Sequence, residues 1–214
     1  FGSSSDWVLA ELGGTACLLP LRAARTEVTG INRSLMCNAY WKERPKEAIA
    51  LPDAWCRGVK WRAIAAALNA AQMAGAMDKL MEMTLEYANQ RIQFGKPIGK
   101  LQVIQQQLSV MAEQTFAANT AAQIGLCGNT PHTLRAAVAK ARVSEAVVSV
   151  ASICHAVHGA IGVTEEYDLQ LYTRRLHEWR SKYGSESYWN NIIGEAMLAE
   201  KSAPLKFIQQ IMAG

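Results

Sequence analysis

Arg91-Ile92-Gln93-Phe94-Gly95-Lys96-Pro97-Ile98-Gly99-Lys100-Leu101-Gln102 ends one long helical periodicity and opens another. Ahead of it, Met73, Met77, Leu80, Met81, Thr84, Leu85 and Ala88 recur at helical spacing and mark one apolar face. Gly95 and Pro97 end that helix. Behind it, Leu101, Ile104, Leu108, Met111 and Ala118 form a second stripe. Two long helices with a short joint between them pack antiparallel.

Gly128-Asn129-Thr130-Pro131 punctuates the chain again, with Thr130 placed as a cap and Pro131 as the first residue of a third helix. Its stripe is Val143, Val147, Val150, Cys154 and Val157, and Gly159 and Gly162 stop it. A shorter helix is expected from about Glu165 to Lys182. Another, after Gly184-Ser185, carries Trp189, Ile193 and Met197, and Pro204 opens a terminal piece. Residues 1–59 have a different texture. The apolar runs Asp6 to Leu12 and Thr15 to Leu21 flank Gly13-Gly14, a hairpin signal. Arg25 to Thr29 alternates weakly, and no period stands out from Gly30 to Gly58. The expected fold is mainly α: residues 60–214 form an antiparallel four-helix-type bundle with additional helices, preceded by a small partial β domain and connector over 1–59.

The bulk numbers exclude some classes of function. The chain has 214 residues, half of them apolar, and a formal charge of +4 without a Lys/Arg tract, so nucleic acid is not an expected partner. Its runs of consecutive apolar residues are far shorter than the roughly 18 of a membrane span, and we expect a soluble, cytoplasmic protein. Cys17, Cys37, Cys56, Cys127 and Cys154 are odd in number and contain no CxxC pair, which argues against a disulfide framework and a zinc site. No signal peptide is read. The chain begins without methionine, so the true N-terminus is expected to lie upstream.

The Arg91–Gln102 stretch resembles the R-x-x-F-G-x-x-(I/L)-x-x-x-Q joint between the first two C-terminal helices of acyl-CoA dehydrogenases. Tyr87 and Gly75 also fit that family's first helix. Gly159-Ala160-Ile161-Gly162-Val163-Thr164-Glu165-Glu166 is similar to the family's G-G-x-G segment and its following glutamate. Arg174 and then Tyr183-Gly184-Ser185 run on toward its Glu-Gly-Thr/Ser triplet. The resemblance covers 60–214 well and 1–59 only loosely. It implies FAD as cofactor, an acyl-CoA substrate, and association with a second copy or another acyl-CoA dehydrogenase-like subunit, with an electron-transfer flavoprotein among the implied partners.

By the same resemblance Arg91, Phe94, Gln102, Gly159, Gly162 and Ser185 are the cofactor-binding candidates. The chemistry is sensible. An arginine at a helix end can project toward a diphosphate, and Gln102 in a first helical turn lies near the dipole end that favours phosphate. A plain helix C-cap with a surface arginine, and glycines that simply terminate a helix, read the same residues without a ligand. Ala156 stands where the family has a glutamine that meets FAD, and His155 or His158 is a candidate substitute donor. His155-x-x-His158 without a nearby carboxylate or cysteine is not read as a metal site.

No catalytic residue is assigned. In the family a glutamate removes the substrate α-hydrogen as a proton while the β-hydrogen leaves as hydride to the flavin. One of its two homes is Tyr183 here and the other, counted back from Arg91, is Ala65. Tyrosine, with an unperturbed pKa of roughly 10, is a poor base at neutral pH. Glu178 and Glu186 flank Tyr183. Three readings follow: a subunit of a heteromeric dehydrogenase whose partner supplies the base, which is the favoured one because the chain resembles base-lacking members of heteromeric steroid-side-chain dehydrogenases, a self-sufficient enzyme with an unrecognised base such as Glu186, or a degenerate member with a structural or interaction role. The cluster Trp179, Tyr183, Tyr188 and Trp189 lines an interface or pocket, or packs in a core.

Overall fold

The computed structural model describes residues 2–29, 36–52, 60–128, 132–200 and 203–213. The chain divides into two compact units, Phe1–Val59 and Lys60–Gly214.

In the first unit, β1 (Trp7–Leu12) and β2 (Thr15–Pro20) pair antiparallel, and β5 (Ile49–Ala50) adds to the far edge of β2. Gly13 and Gly14 both have positive φ, +57° and +81°, the backbone a two-residue hairpin with matching twist requires. β3 (Arg25–Val28) pairs with β4 (Cys37–Tyr40). β4 and β5 are strands the sequence did not signal, since neither is long enough to show a period. Trp41 Nε1 donates to the Pro20 carbonyl at 3.2 Å and ties the segment after β4 to the end of β2.

The second unit is a bundle: α1 (Trp61–Gln90), α2 (Gln102–Leu126), α3 (Thr133–His158), α4 (Leu169–Ser181), α5 (Glu186–Ala199) and α6 (Pro204–Ala213). Its core joins Met73, Met77 and Leu80 of α1 to Met111 and Ala118 of α2, Val143, Val147, Val150 and Cys154 of α3, and Leu169 and Leu176 of α4. Burying each large apolar side chain contributes roughly 1.5–3 kcal/mol. Alanines at the contacts, such as Ala70, Ala74, Ala122, Ala139 and Ala146, keep the helices close. Two members of the predicted faces are exposed instead, Leu85 on α1 and Met197 on α5. α4 begins at Leu169 rather than near Glu165, because Gly159–Val163 forms a short 3-10 turn first. Thr130 and Pro131 lie outside the described residues. α3 is capped by His132, whose Nδ1 accepts from the Arg135 amide at 3.4 Å.

Thr133–Val163 has a mean hydropathy of 1.7 and is long and apolar enough to cross a membrane. Counting consecutive apolar residues missed it, because Lys140, Arg142 and Ser144 interrupt the run without lowering the average enough. In the fold this helix packs against α1, α2, α4 and α5 at the centre of the bundle, which accounts for its composition. Two cations sit on its buried side. Arg135 donates to the carbonyls of Cys127, at the end of α2, and Ile211, in the last turn of α6, at 3.0 and 2.7 Å.

Cys17 and Cys154 are buried and Cys127 is exposed. Burial pushes the Cys154 thiol up to about 11, further from its reactive thiolate form. Iodoacetamide at neutral pH is therefore expected to label Cys127 readily and to leave Cys154 untouched until denaturant is added. Native labelling of Cys154 at the rate of Cys127, read by peptide mass spectrometry, would contradict the packing of α3 on α1.

Candidate functional site

The α1–α2 joint is a miniature hairpin. β6 (Ile92–Gln93) pairs with β7 (Lys96–Pro97), and the two residues between them, Phe94 and Gly95, both have positive φ, +52° and +74°. That is the preferred twist for a two-residue loop, though a left-handed Phe94 is uncommon. Phe94 stands 87% exposed at the tip. Arg91 closes α1, its amide donating to the Tyr87 carbonyl and its carbonyl accepting from the Ile98 amide, each at 2.8 Å. Its side chain is exposed, as is that of Gln102 in the first turn of α2. Leu101 occupies the N-cap of α2, so no capping side chain accepts from the helix's first amides. Gly99 packs tightly: a Cβ there would lie 3.1 Å from the Ala88 carbonyl oxygen.

The end of α3 is fastened to this joint. Tyr87 stacks on His158 with ring centroids 4.4 Å apart, donates its hydroxyl to the His158 carbonyl at 3.3 Å, and meets Tyr167 edge-on. Beside them Ala88, Ile98 and Val157 form a small apolar cluster. Gly159 ends α3 with φ +63°. Gly162 follows for a different reason, since a Cβ would fall 2.9 Å from His158 Cβ and 3.0 Å from Leu169. Both glycines are required by conformation or packing whether or not a ligand is near.

His158 does not fit the role of substitute donor. Its Nδ1 lies 2.8 Å from the Cys154 carbonyl, an acceptor only, so the proton belongs on Nδ1 and Nε2 is left as a buried acceptor. Burial pushes both His155 and His158 below the ordinary histidine range. His155 shares Nε2 with the Thr173 hydroxyl at 3.2 Å. Among the described residues no three His, Cys, Asp or Glu side chains converge on a point.

Tyr183, Gly184 and Ser185 connect α4 to α5. Tyr183 has φ +60° and Gly184 φ +115°. Ser185 caps α5, its Oγ accepting from the Tyr188 amide at 3.3 Å and keeping its own proton to donate elsewhere. Gly184 lies against Trp189 and Tyr188, where a Cβ would come within 2.7 Å of each. Trp189 is buried against Ala63, Ala66 and Ala67 of α1, and the Arg62 guanidinium sits 5.4 Å from the Tyr188 ring centroid. Ala65 is half-buried in that same turn of α1. The segments that carry the two expected glutamate positions therefore meet at one corner of the bundle, and neither position is acidic. The four aromatics are not one cluster: Trp179 packs on the main core, Trp189 and Tyr188 meet edge to face, and Tyr183 lies half-exposed under Lys182.

Glu186 is committed to Arg180. The guanidinium donates to Oε1 through Nε at 2.7 Å and again through Nη2. Burial on its own raises the carboxyl, but the Arg180 hydrogen bond and charge outweigh it and hold Glu186 below the usual carboxylate range. That is the wrong direction for a general base working near neutral pH. Beneath the loop Lys140 is buried, its Nζ donating to Ser144 Oγ at 2.9 Å, the Trp179 carbonyl at 2.9 Å and the Arg180 carbonyl at 2.8 Å. Desolvation lowers its ammonium to about 8, partly opposed by Glu186. The only sequence signal for Lys140 is a cation in an alanine- and valine-rich stripe, which by period alone reads as surface.

The candidates thus fall into two groups. Arg91, Phe94, Gln102, Gly159 and Gly162 share one end of the bundle, and Ser185 lies at the other beside Tyr183. Between Ala66, next to the second group, and Ala88, next to the first, α1 rises roughly 33 Å at 1.5 Å per residue. The first group offers a guanidinium, an amide side chain and uncapped helix amides, donors suited to phosphate oxygens.

The chain belongs to the acyl-CoA dehydrogenase family: residues 63–198 match the family model described as acyl-CoA dehydrogenase, C-terminal domain. Among its curated relatives is acyl-CoA dehydrogenase IpdE2 of Mycobacterium tuberculosis, 37% identical over 113 residues, which are 53% of this chain and 35% of that protein. The match therefore spans about a third of the relative's length. Two solved structures share the fold. A Tcur3481-Tcur3483 steroid ACAD superposes with a TM-score of 0.76 at 23% identity, covering 90% of this chain and 55% of that one. The ChsE4-ChsE5 complex of Mycobacterium tuberculosis gives 0.70 at 22%, covering 94% and 58%.

A pH test follows from the Arg180–Glu186 pair. The folded carboxyl is held below its ordinary 4.5, so its stabilisation is fully present above that value and is lost as pH falls through the folded pKa. Glu186→Gln is expected to lower Tm at pH 7, and the gap from wild type should close on titration below 4.5. A gap independent of pH would show that the pair is not the source.

Proposed function

We propose that this chain is part of a subunit of an FAD-dependent acyl-CoA dehydrogenase carrying out α,β-dehydrogenation of an acyl-CoA thioester. It contributes to a flavin site shared between subunits, and a partner subunit supplies the carboxylate base. The observation that carries this reading is the separation of the two groups of candidate residues by most of α1. Residues held near opposite ends of one rigid helix serve two different cofactor molecules more readily than one, as they do when each site is built across a subunit boundary.

FAD, when bound, supplies the redox chemistry by taking up the substrate's β-hydrogen as hydride. The chain's residues hold and orient. Arg91 and Gln102, with the first amides of α2, bind diphosphate oxygens. Phe94 offers an exposed aromatic face, Gly159 and Gly162 let the end of α3 lie close, and Ser185 has a proton to donate. None of them removes the α-proton. Tyr183 and Ala65 are not acids, and Glu186 is neutralised by Arg180. The self-sufficient reading loses its best candidate on that contact. The relatives support the substrate class through an enzyme named acyl-CoA dehydrogenase and another named a steroid ACAD, so a steroid-derived or fatty acyl group is the proposed substrate. ChsE4-ChsE5, named as a complex of two chains, supports a heteromeric partner. An electron-transfer flavoprotein is the proposed acceptor.

The flavin assignment is tested by retention of FAD in the full-length protein co-expressed with a neighbouring acyl-CoA dehydrogenase-like subunit. Arg91→Ala removes a charge-assisted contact and is expected to weaken FAD binding by about ten- to a hundredfold, with Tm of the flavin-free protein unchanged. Undiminished FAD affinity in the variant would sink the assignment and leave Arg91 as a helix cap.

A further inference from the structure

We infer that Lys140 is the positioning residue of the Lys182–Ser185 loop, holding Tyr183 at the corner where its segment meets that of Ala65. The inference rests on the proposed function for its catalytic meaning, because only then does that loop border the acyl-CoA site. Its structural content stands on its own.

The last carbonyls of a helix lack intrahelical partners. At the end of α4 two of them, on Trp179 and Arg180, point at the Lys140 ammonium of α3. The third nearby oxygen, Ser144 Oγ, lies one turn further along α3 and itself donates to the Arg180 carbonyl at 3.3 Å. Three oxygen acceptors, with Met73 Sδ as a longer fourth contact at 3.8 Å, surround the three protons of the ammonium, and a cation at a helix C-terminus also meets the negative end of the dipole. The same Arg180 then crosses the loop to Glu186 in the first turn of α5. The loop is thus fixed from below by Lys140 and Ser144, across its mouth by Arg180 and Glu186, and on its far side by Ser185 capping α5 and Gly184 against Trp189. In its middle stands Tyr183, a non-glycine residue at positive φ. Such a conformation persists only where the surroundings over-determine it. Lys140 and Ser144 are both buried on α3, so together they tie the loop to the bundle rather than to itself, with Lys140 reaching two of its carbonyls and Ser144 one. An apolar residue at 140 would fill the space and take a charged donor from both carbonyls, leaving Trp179 with the Lys182 amide and Arg180 with Ser144 Oγ.

Amide hydrogen exchange of the full-length protein, read by mass spectrometry on wild type, Lys140→Met and Ser144→Ala, tests this. Exchange at Lys182 and Gly184, whose amides donate to the Trp179 and Ser181 carbonyls, is expected to rise by about tenfold or more in Lys140→Met and by less in Ser144→Ala, while amides of Met77–Leu80 in the core keep their wild-type protection. A uniform rise across the bundle, or no change in the loop, would overturn the inference. If Lys140→Met does not fold, Ser144→Ala decides by the same comparison. FAD content of the same samples separates the two questions. A wild-type protein that never binds flavin counts against the proposed function, whereas an unchanged loop counts against Lys140 whatever the flavin content.

Discussion

Thirty uninterrupted helical residues, Trp61–Gln90, set the length of the bundle and with it the distance between its two chemically interesting ends. At the C-terminal end of this helix the chain turns through a hairpin and exposes Arg91, Phe94 and Gln102. At the N-terminal end Ala63, Ala66 and Ala67 receive Trp189 and bring up the loop after α4. A rigid rod of this length cannot fold its ends together, so the joint and the loop act at different places. α3 runs beside it and is fixed to the joint by the Tyr87–His158 stack. That contact links two segments 71 residues apart and makes one surface of Arg91–Gln102 and Gly159–Gly162.

The other end depends on buried charge. Lys140 and Arg135 lie on α3 with almost no exposure, and both donate to carbonyls at the ends of other helices, Lys140 also to Ser144 on its own. An unpaired buried cation would be costly, but each of these has several oxygen partners, so each acts as an internal cap. At this corner the Lys140 ammonium lies near the Arg180–Glu186 pair, and Glu186 is engaged by Arg180. The electrostatics therefore support the loop's shape.

Much of the bundle was legible in the sequence because it is written in local chemistry. Met73, Met77, Leu80 and Ala88 repeat at helical spacing and are buried, and Gly13-Gly14 specifies its hairpin by conformation alone. Leu85 and Met197 read as apolar-face residues and are not, because period cannot say how wide a buried face is. Lys140 and Arg135 were illegible for the complementary reason: a cation on a helix looks like surface until the carbonyls that bind it are known, and those come from α2, α4 and α6. The tie from Tyr87 to His158 is likewise tertiary. The candidate ligand-binding residues came from resemblance. The structure adds that five of them share one end of the bundle while Ser185 does not, that His158 has no donor to spare, and that Glu186 is already engaged.

The proposed division of labour gives this chain part of a flavin site and a partner subunit the base. The most direct measurement is the visible absorbance of the full-length protein under anaerobic conditions on addition of acyl-CoA thioesters, alone and with an acyl-CoA dehydrogenase-like partner that has a glutamate at the position of Tyr183. Bleaching of the flavin is expected only in the complex, with bleaching lost when the partner's glutamate is replaced by glutamine. Flavin that bleaches in this protein alone would contradict it, and would place the base on this polypeptide.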